Sequence, residues 1–409
     1  MPVSSSVATS RTAPWNAFER PAKLNTPYSY LPDYQPLVEL ANQNKSVSAY
    51  SESVPREDAR LRRLIAEAPT IGVHDHPFLL PANLDNENWG AWRRQKRLTY
   101  AYEAMSRSGV TAAVASTNSW HTAEEILTML VRLNADFTHH EGIHVVNRFS
   151  DITAGANPAV GYPDSIGVIL ALESMTEFAY DLDNVETLYG LGVRVAGMIY
   201  SDGNILGGGL SSAYDEGLSS QGKAFVSRMN DMGMVVDLAH AGDRTTLDAI
   251  EHSSAPILIS HAGARSLWPT SRMKPDDVLH AMAQSGGIIG VEAPPNSTCA
   301  PGHSGHDIDQ VMEHVEFLVN LLGIDSVALG LDVVFGPHHQ LHKIRAGEPA
   351  PTTNSVDGRA RVDYVDGVEN PEEAFWNIGW WLMEHGYGDN DIKKLLGGNA
   401  LRYFSTVLN

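Results

Sequence analysis

Six side chains able to hold a metal ion sit at the ends of apolar runs in this chain of 409 residues. They are His74 and His76 in IGVHDH, Glu173 in GVILALE, His240 in VVDLAH, His261 in ILISH and Asp332 in VALGLD. Each run has the uninterrupted apolar character of a parallel strand buried on both faces. Side chains at the carboxyl ends of such strands converge on one face of a barrel, where active sites of that architecture lie. Four imidazoles and two carboxylates form a nitrogen and oxygen donor set suited to zinc or a similar first-row divalent ion. A lone strand-end histidine is ordinarily satisfied by local hydrogen bonds. Six donors recurring in register along one chain call for a shared purpose.

The spacing says which donors belong together. His74 and His76 are two apart, so an extended strand turns both imidazoles to one face, where they can chelate one ion. His240 and His261, from consecutive strands, can hold a second. Glu173 lies between these pairs in chain order and can bridge two ions through its two oxygens. Asp332, on the last strand, suits a ligand that also takes a proton from attacking water. Two ions about 3.5–4 Å apart generate a nucleophile at neutral pH and polarise a carbonyl. The chemistry implied is hydrolysis of an amide, ester or related polar bond.

Such a site needs a scaffold, and the pattern supplies one. Apolar runs at about 71–76, 109–116, 166–173, 193–200, 234–240, 256–261, 286–293 and 327–332 read as eight strands. Between them lie amphipathic stretches with apolar residues at helical spacing, among them EEILTMLVRLNADF, GKAFVSRMNDM and IDQVMEHVEFLVNLLG. Alternation of this kind predicts a (β/α)8 TIM-type barrel, an α/β fold, over residues 61–409, with an N-terminal arm at 1–60 and two C-terminal helices. An open doubly wound sheet is the weaker alternative, because no Gly-rich dinucleotide fingerprint follows the first strand. The segment 336–370 lacks periodicity and is expected to cover the site, as long loops after barrel strands do.

Composition narrows the partners. A formal net charge of −20 argues against nucleic acid or an anionic membrane surface, either of which would require a basic patch. The single cysteine, Cys299, excludes an intramolecular disulfide. No run approaches a membrane-spanning length, and residues 1–15 lack the charged and apolar regions of a signal peptide, so a cytoplasmic location is expected.

Three long blocks bring up a family. GLSSQGKAFVSRMNDMGMVVDLAHAGDRTTLDAIEHSSAPILISHAGARSL at 217–267, IDQVMEHVEFLVNLLGIDSVALGLD at 308–332 and HGYGDNDIKKLLGGNALRYF at 385–404 resemble the membrane (renal) dipeptidase family. That family comprises binuclear zinc hydrolases among the amidohydrolase-like barrels. The resemblance runs from about 65 to 406 and implies two zinc ions per chain, a dipeptide or small carboxylate-bearing amide as substrate, and a homo-oligomer. Residue by residue, it assigns His74, His76, Glu173 and Asp332 to one zinc. Glu173 bridges to the other, which His240 and His261 hold. Asp332 then handles the proton, and Arg265 in HAGARSL clamps the substrate carboxylate, a role suited to a planar guanidinium.

The chain also departs from the family. His76 stands where the family's first motif has aspartate, removing one negative charge from the site. Tyr200 in GMIYSDGN replaces a substrate-contacting histidine, and its hydroxyl can still donate to a developing oxyanion. VEAPPNS and DVVFG replace the family's Tyr-containing segment and its Asp-Phe-Asp-Gly. The metal frame is kept while the substrate-facing positions differ. The same frame acting on an ester, lactone, carbamate or xenobiotic amide is therefore an alternative, as is a mononuclear decarboxylase-type lyase. Glu173 and the His240/His261 pair count against the lyase.

Other residues carry weaker claims. His338, His339 and His342 follow the last strand closely enough to reach the site, though loop histidines are commonly surface groups. Trp89, Trp92 and Trp120 are read as packing ahead of pocket lining. His139, His140 and His144 are read as structural or exposed, Trp376, Trp380 and Trp381 as core or interface, and Cys299 as non-catalytic.

Overall fold

The computed structural model describes residues 27–31, 33–34, 48–81, 86–117, 122–157, 163–336, 338, 362 and 364–409. Eleven strands run along them: β1 (Ile71–Leu79), β2 (Thr99–Tyr100), β3 (Ala112–Thr117), β4 (Ile143–Val145), β5 (Ile166–Leu172), β6 (Val193–Gly197), β7 (Val235–Asp237), β8 (Leu258–Ala262), β9 (Ile288–Val291), β10 (Val327–Leu329) and β11 (Val334–Phe335). The order β10-β9-β8-β7-β6-β5-β3-β1-β11 is parallel throughout, with β2 and β4 attached at its side. The chain passes directly from β10 into β11, which pairs with β1, so the sheet curls back on itself. Backbone bonds from Asp332 N to His74 O (3.1 Å) and from His76 N to Val333 O (3.2 Å) complete the closure. The expected barrel is present, with all eight anticipated strands.

Helices cover the outside because their apolar faces have nowhere else to go. The helix Ala123–Phe137 begins at a capping box in which Thr122 and Glu125 satisfy each other's backbone N–H groups, and it buries Ile126, Met129, Leu130, Leu133 and Phe137. The helix Ser220–Met232 stops at Gly233, whose φ of 69° is the left-handed turn that glycine adopts without a Cβ clash.

Inside the barrel, Ile71, Val73, Ala112, Val114, Ile169, Ala171, Val195, Val235, Leu258, Ile288 and Ala328 form one apolar cluster with Tyr403 and Phe404. Those two aromatics belong to the C-terminal helix Asn399–Val407, which closes the amino-terminal mouth of the strands. Asn399 Nδ2 anchors the helix by donating to the carbonyls of Ile324 and Val327 at 2.7 and 2.8 Å, and Tyr403 Oη donates to Pro256 O at 3.0 Å. Part of the N-terminal region is tied to the body as well. Buried Tyr28 donates its backbone N–H to Asp136 Oδ1 at 2.6 Å and its hydroxyl to Leu98 O at 2.8 Å.

Several strands end short of the boundaries expected from sequence, β5 at Leu172 and β6 at Gly197 among them. β7 ends at Asp237 and β10 at Leu329, so His240 and Asp332 lie beyond their strands. The backbone has left the ladder there: Asp332 has φ of 55°, a left-handed conformation that aspartate tolerates better than most side chains. Most of 336–370 lies outside the described residues, including His339 and His342, as does Trp120. Among the described residues no helix is long and apolar enough to cross a membrane.

Candidate metal centre

β1 and β8 each carry a register irregularity just ahead of a histidine, between Gly72 and Asp75 in one and between Ile259 and Ala262 in the other. Strict alternation from inward-facing Ile71 and Val73 would turn His74 and His76 out of the barrel. The extra residue re-aims them, which is the usual work of a bulge beside a site. His74 and His261 are buried, as are Glu173, His240 and Asp332, and His76 is nearly so.

The buried donors gather into groups whose ligand atoms lie within 4.8 Å of one another. His74, His76 and Asp332 form one, with Asp332 Oδ1 at 3.7 Å from His74 Nε2 and 3.0 Å from His76 Nε2. Glu173, His240 and His261 form another: His240 Nε2 lies 3.1 Å from Glu173 Oε1 and 3.0 Å from His261 Nε2. The rings of His74 and His261 stack at 3.7 Å, so the two groups abut. All six residues singled out in the sequence are thus brought together.

The donor chemistry fits a divalent cation. His74 Nε2 is buried without a hydrogen-bond partner among the described residues, an arrangement that costs about 1–3 kcal/mol unless another species satisfies the atom. Burial drives the His74 imidazole down to about 3 against the pull of Asp332, and it holds His240 and His261 low as well. Neutral imidazoles are what a metal binds. Glu173, despite burial, is held down at about 2 by His240, and Asp332 stays well below the carboxylate range through its histidine neighbours. His76 is the exception, raised to about 9 because its contact with Asp332 outweighs burial.

A second layer orients these ligands. Ser260 Oγ donates to Asp237 Oδ2 at 2.6 Å, leaving it to accept from His261 Nδ1 at 2.7 Å and His74 Nδ1 at 3.3 Å. One hydroxyl therefore fixes the tautomer of a histidine in each group, with Nε2 left toward the centre. His76 Nδ1 meets Ser116 O at 3.0 Å and His240 Nδ1 meets Ser201 Oγ at 3.1 Å. Asp237 and Ser260 also belong to buried polar positions that sequence reading passed over. Their signal was present, since Asp237 interrupts the apolar run VVDLA and Ser260 the run ILIS ahead of His261.

Residues 59–340 match the membrane dipeptidase family, peptidase family M19. The chain belongs to that family. Dipeptidase aclJ of Aspergillus oryzae is 30% identical over 274 residues, 64% of this chain and 58% of that protein. An uncharacterized dipeptidase of Schizosaccharomyces pombe, C3A11.10c, is 30% identical over 245 residues, 59% of this chain and 53% of its own. The chain spans about half the length of the curated relatives it matches. Among solved structures, an amidohydrolase from Pseudomonas aeruginosa aligns with a TM-score of 0.69 at 23% identity, covering 85% of this chain and 99% of that one. A metallo peptidase from Rhodobacter sphaeroides, solved with a phosphinate mimic of the dipeptide L-Ala-D-Ala, aligns at 0.64 and 17% identity, covering 83% and 99%. At these identities the structures establish the fold, a barrel shared across the dipeptidase family.

Within this family frame, the arginine chosen from sequence is engaged elsewhere. Arg265 forms a two-pronged pair with Asp243 at 2.6 and 2.9 Å, and its Nε donates to Met273 O at 2.9 Å. The arginine in contact with the centre is Arg272, whose terminal nitrogens donate to His261 O at 2.8 Å and Ala239 O at 3.2 Å. The loop carries Arg272 there. Lys274 N bonds Gly263 O and Arg265 N bonds Lys274 O, so the segment folds back and its returning limb carries Arg272 to His261. Arg272 also forms an ion pair with Glu292, a fully buried residue at the end of β9. Burial pushes Glu292 up to about 7 against the opposing pull of Arg272. Glu292 joins His261 and Asp332 in a further group of close donor atoms.

The remaining candidates fall into place around this. Tyr200 stacks on His240 at 4.3 Å. Buried His338 lies 6.4 Å ring to ring from His76 and lines a recess with Ala293, Val333 and Glu369. Trp89 and Trp92 stack on each other within the apolar core, and Trp376 and Trp381 are buried. Trp380 packs partly buried against the same core. His140 stacks on Tyr102, His139 on Tyr30, and His144 bonds Ser165 and Asp151. Cys299 packs with Trp268 and Met273.

Proposed function

We propose that the chain is a metal-dependent hydrolase that cleaves the amide bond of a dipeptide or similar small amide, using two zinc ions. The observation that carries this reading is the pair of donor groups abutting through the stacked rings of His74 and His261. His74, His76 and Asp332 would hold one ion and His240 and His261 the other, with Glu173 placed to serve both. Ions there supply Lewis acidity toward a carbonyl and lower the pKa of water. The family relatives named as dipeptidases support peptide as the substrate class.

The protein's own groups divide the remaining work. Asp332, a buried acceptor at the closure of the barrel, takes the proton of the attacking water and delivers it to the leaving nitrogen. The Tyr200 hydroxyl, on a ring set against His240, donates to the developing oxyanion. Arg265 was the expected clamp for the substrate carboxylate, and Arg272, whose guanidinium donates to His261 O, is a second candidate for that role. We assign the arm at 1–60 and the body at 61–409 to one cytoplasmic, homo-oligomeric hydrolase. The test is elemental analysis of protein purified without chelator, alongside dipeptide turnover. About two zinc ions per chain and activity lost to chelator and restored by zinc are expected. One ion or fewer, or turnover indifferent to chelation, overturns the reading.

A further inference from the structure

We propose that Glu292 is a further ligand of the metal centre, giving a carboxylate oxygen to the ion held by His240 and His261. This rests on the two-ion reading of the centre and extends its ligand set.

The distances suit a shared ion. Glu292 is fully buried directly after β9, and its donor atom lies within 4.8 Å of those of His261 and Asp332. Zinc takes nitrogen and oxygen donors at about 2.0–2.2 Å, so two donors on opposite sides of one ion stand about 4.4 Å apart. A small side-chain adjustment therefore brings Glu292 onto an ion. His261 also belongs to the group with Glu173 and His240, and Asp332 to the group with His74 and His76. Glu292 thus stands beside one donor of each group, where the two groups abut. The ion on His74, His76, Asp332 and Glu173 would already have four protein donors, whereas that on His240, His261 and Glu173 would have three. A fourth donor there still leaves a place for water, because zinc reaches five-coordination.

The surroundings hold the carboxylate ready. Glu292 N donates to Ala262 O at 3.0 Å, and Thr298 Oγ1 donates to Glu292 O at 2.8 Å, which fixes the backbone. Arg272 pairs with Oε2 and donates to His261 O at 2.8 Å, so one guanidinium braces the carboxylate and the histidine together. Carboxylates that ligate metal are ordinarily supported from outside in this way. No described residue donates to Oε1 with hydrogen-bond geometry, although that atom is buried. Charge points the same way. Two divalent ions bring more positive charge into this buried space than Glu173 and Asp332 balance, and buried charge needs a partner. A cation beside the Glu292 carboxyl favours its ionised form, so the ion supplies what burial opposes.

The test begins with a zinc-loaded crystal structure of wild type, in which a Glu292 oxygen should stand about 2.0–2.2 Å from the ion on His240 and His261. Metal-free wild type and Glu292→Gln are then titrated calorimetrically with zinc chloride. The substitution should weaken one of the two binding steps by about tenfold or more, since even the outer partners of metal ligands are worth about 10–100-fold. Cobalt-substituted protein supplies a spectroscopic check: loss of a donor should change the visible absorption of the ion, whereas a residue that only packs against Arg272 would lower the thermal midpoint and leave that spectrum alone. Glu292 beyond bonding distance of both ions, or binding steps and spectrum unmoved by Glu292→Gln, overturns the proposal. The wild-type structure needs no variant, so a poorly folding Gln protein does not shield the idea. Two bound zinc ions with Glu292 unligated sink this ligand alone, whereas wild type that binds one ion or none sinks the two-ion reading with it.

Discussion

The two mouths of the barrel are built from the same strands and follow opposite rules. At the amino-terminal mouth Ile71, Val73, Val114, Val195, Leu258 and Ile288 pack against Tyr403 and Phe404, and the Tyr403 hydroxyl is paired with Pro256 O. A few residues further along, the interior is filled by His74, His261, Glu173, Glu292 and Asp332, with a buried imidazole nitrogen that finds no partner among the described residues and a left-handed aspartate. Burying charge and holding a non-glycine residue at positive φ both cost stability, on the order of 1–3 kcal/mol for the backbone alone. The apolar mouth must offset that cost. Stability and chemistry are thus separated along the axis of one barrel.

The largest expected effect breaks the reactive mouth alone. Asp332→Asn should lower kcat by about 10²–10⁴-fold, the range for a positioned proton-transfer group, while the thermal midpoint stays near that of wild type. A turnover close to wild type would remove Asp332 from the reaction. The converse substitution lies at the other mouth. Phe404→Ala deletes a ring with no exposed surface and should destabilise the fold by about 3–5 kcal/mol in denaturant titration, with KM and metal content of the folded fraction unchanged. A loss of metal affinity in Phe404→Ala would show that the two mouths are not separable.

The smallest effect sharpens the comparison through pH. Glu369, half-buried beside the recess, is raised to about 7 by burial and by the charges of Glu373 and Asp366. Its folded value lies above its unfolded one, so the folded state binds the extra proton between pH 4.5 and about 7. The stability linked to it is complete below that window and is lost as pH rises through it. Glu369→Gln should therefore raise the thermal midpoint at pH 8 by a degree or two and leave it unchanged at pH 4. Equal shifts at both pH values would assign the effect to packing.

Much of this arrangement could be read from the amino-acid sequence, for a physical reason. Parallel strands buried on both faces are uninterrupted apolar runs, so each of the eight announced itself, and a polar residue ending such a run stands out. That is how His240 and Asp332 were found although both lie beyond the paired residues. Glu292 follows GGIIGV in the same way, so its signal was equally present. Arg272 had no such signal. The segment ARSLWPTSRMK holds two arginines, and only the folding back of the chain decides which returns to His261. The bulges in β1 and β8 were equally invisible, since an inserted residue changes which way side chains point without changing their order.

The helix Asn399–Val407 gives the barrel an order in time. The strand it rests against, β1, leaves the ribosome among the first elements of the body, and the helix among the last. Once β10 and β11 have been made, and until the helix follows, the strands can pair into a ring whose apolar well still lacks its lid of Tyr403 and Phe404, a state prone to association with other chains. Slow or interrupted synthesis should therefore harm this protein more than its finished stability would suggest. Completion of the ring and protection of its interior are separate events.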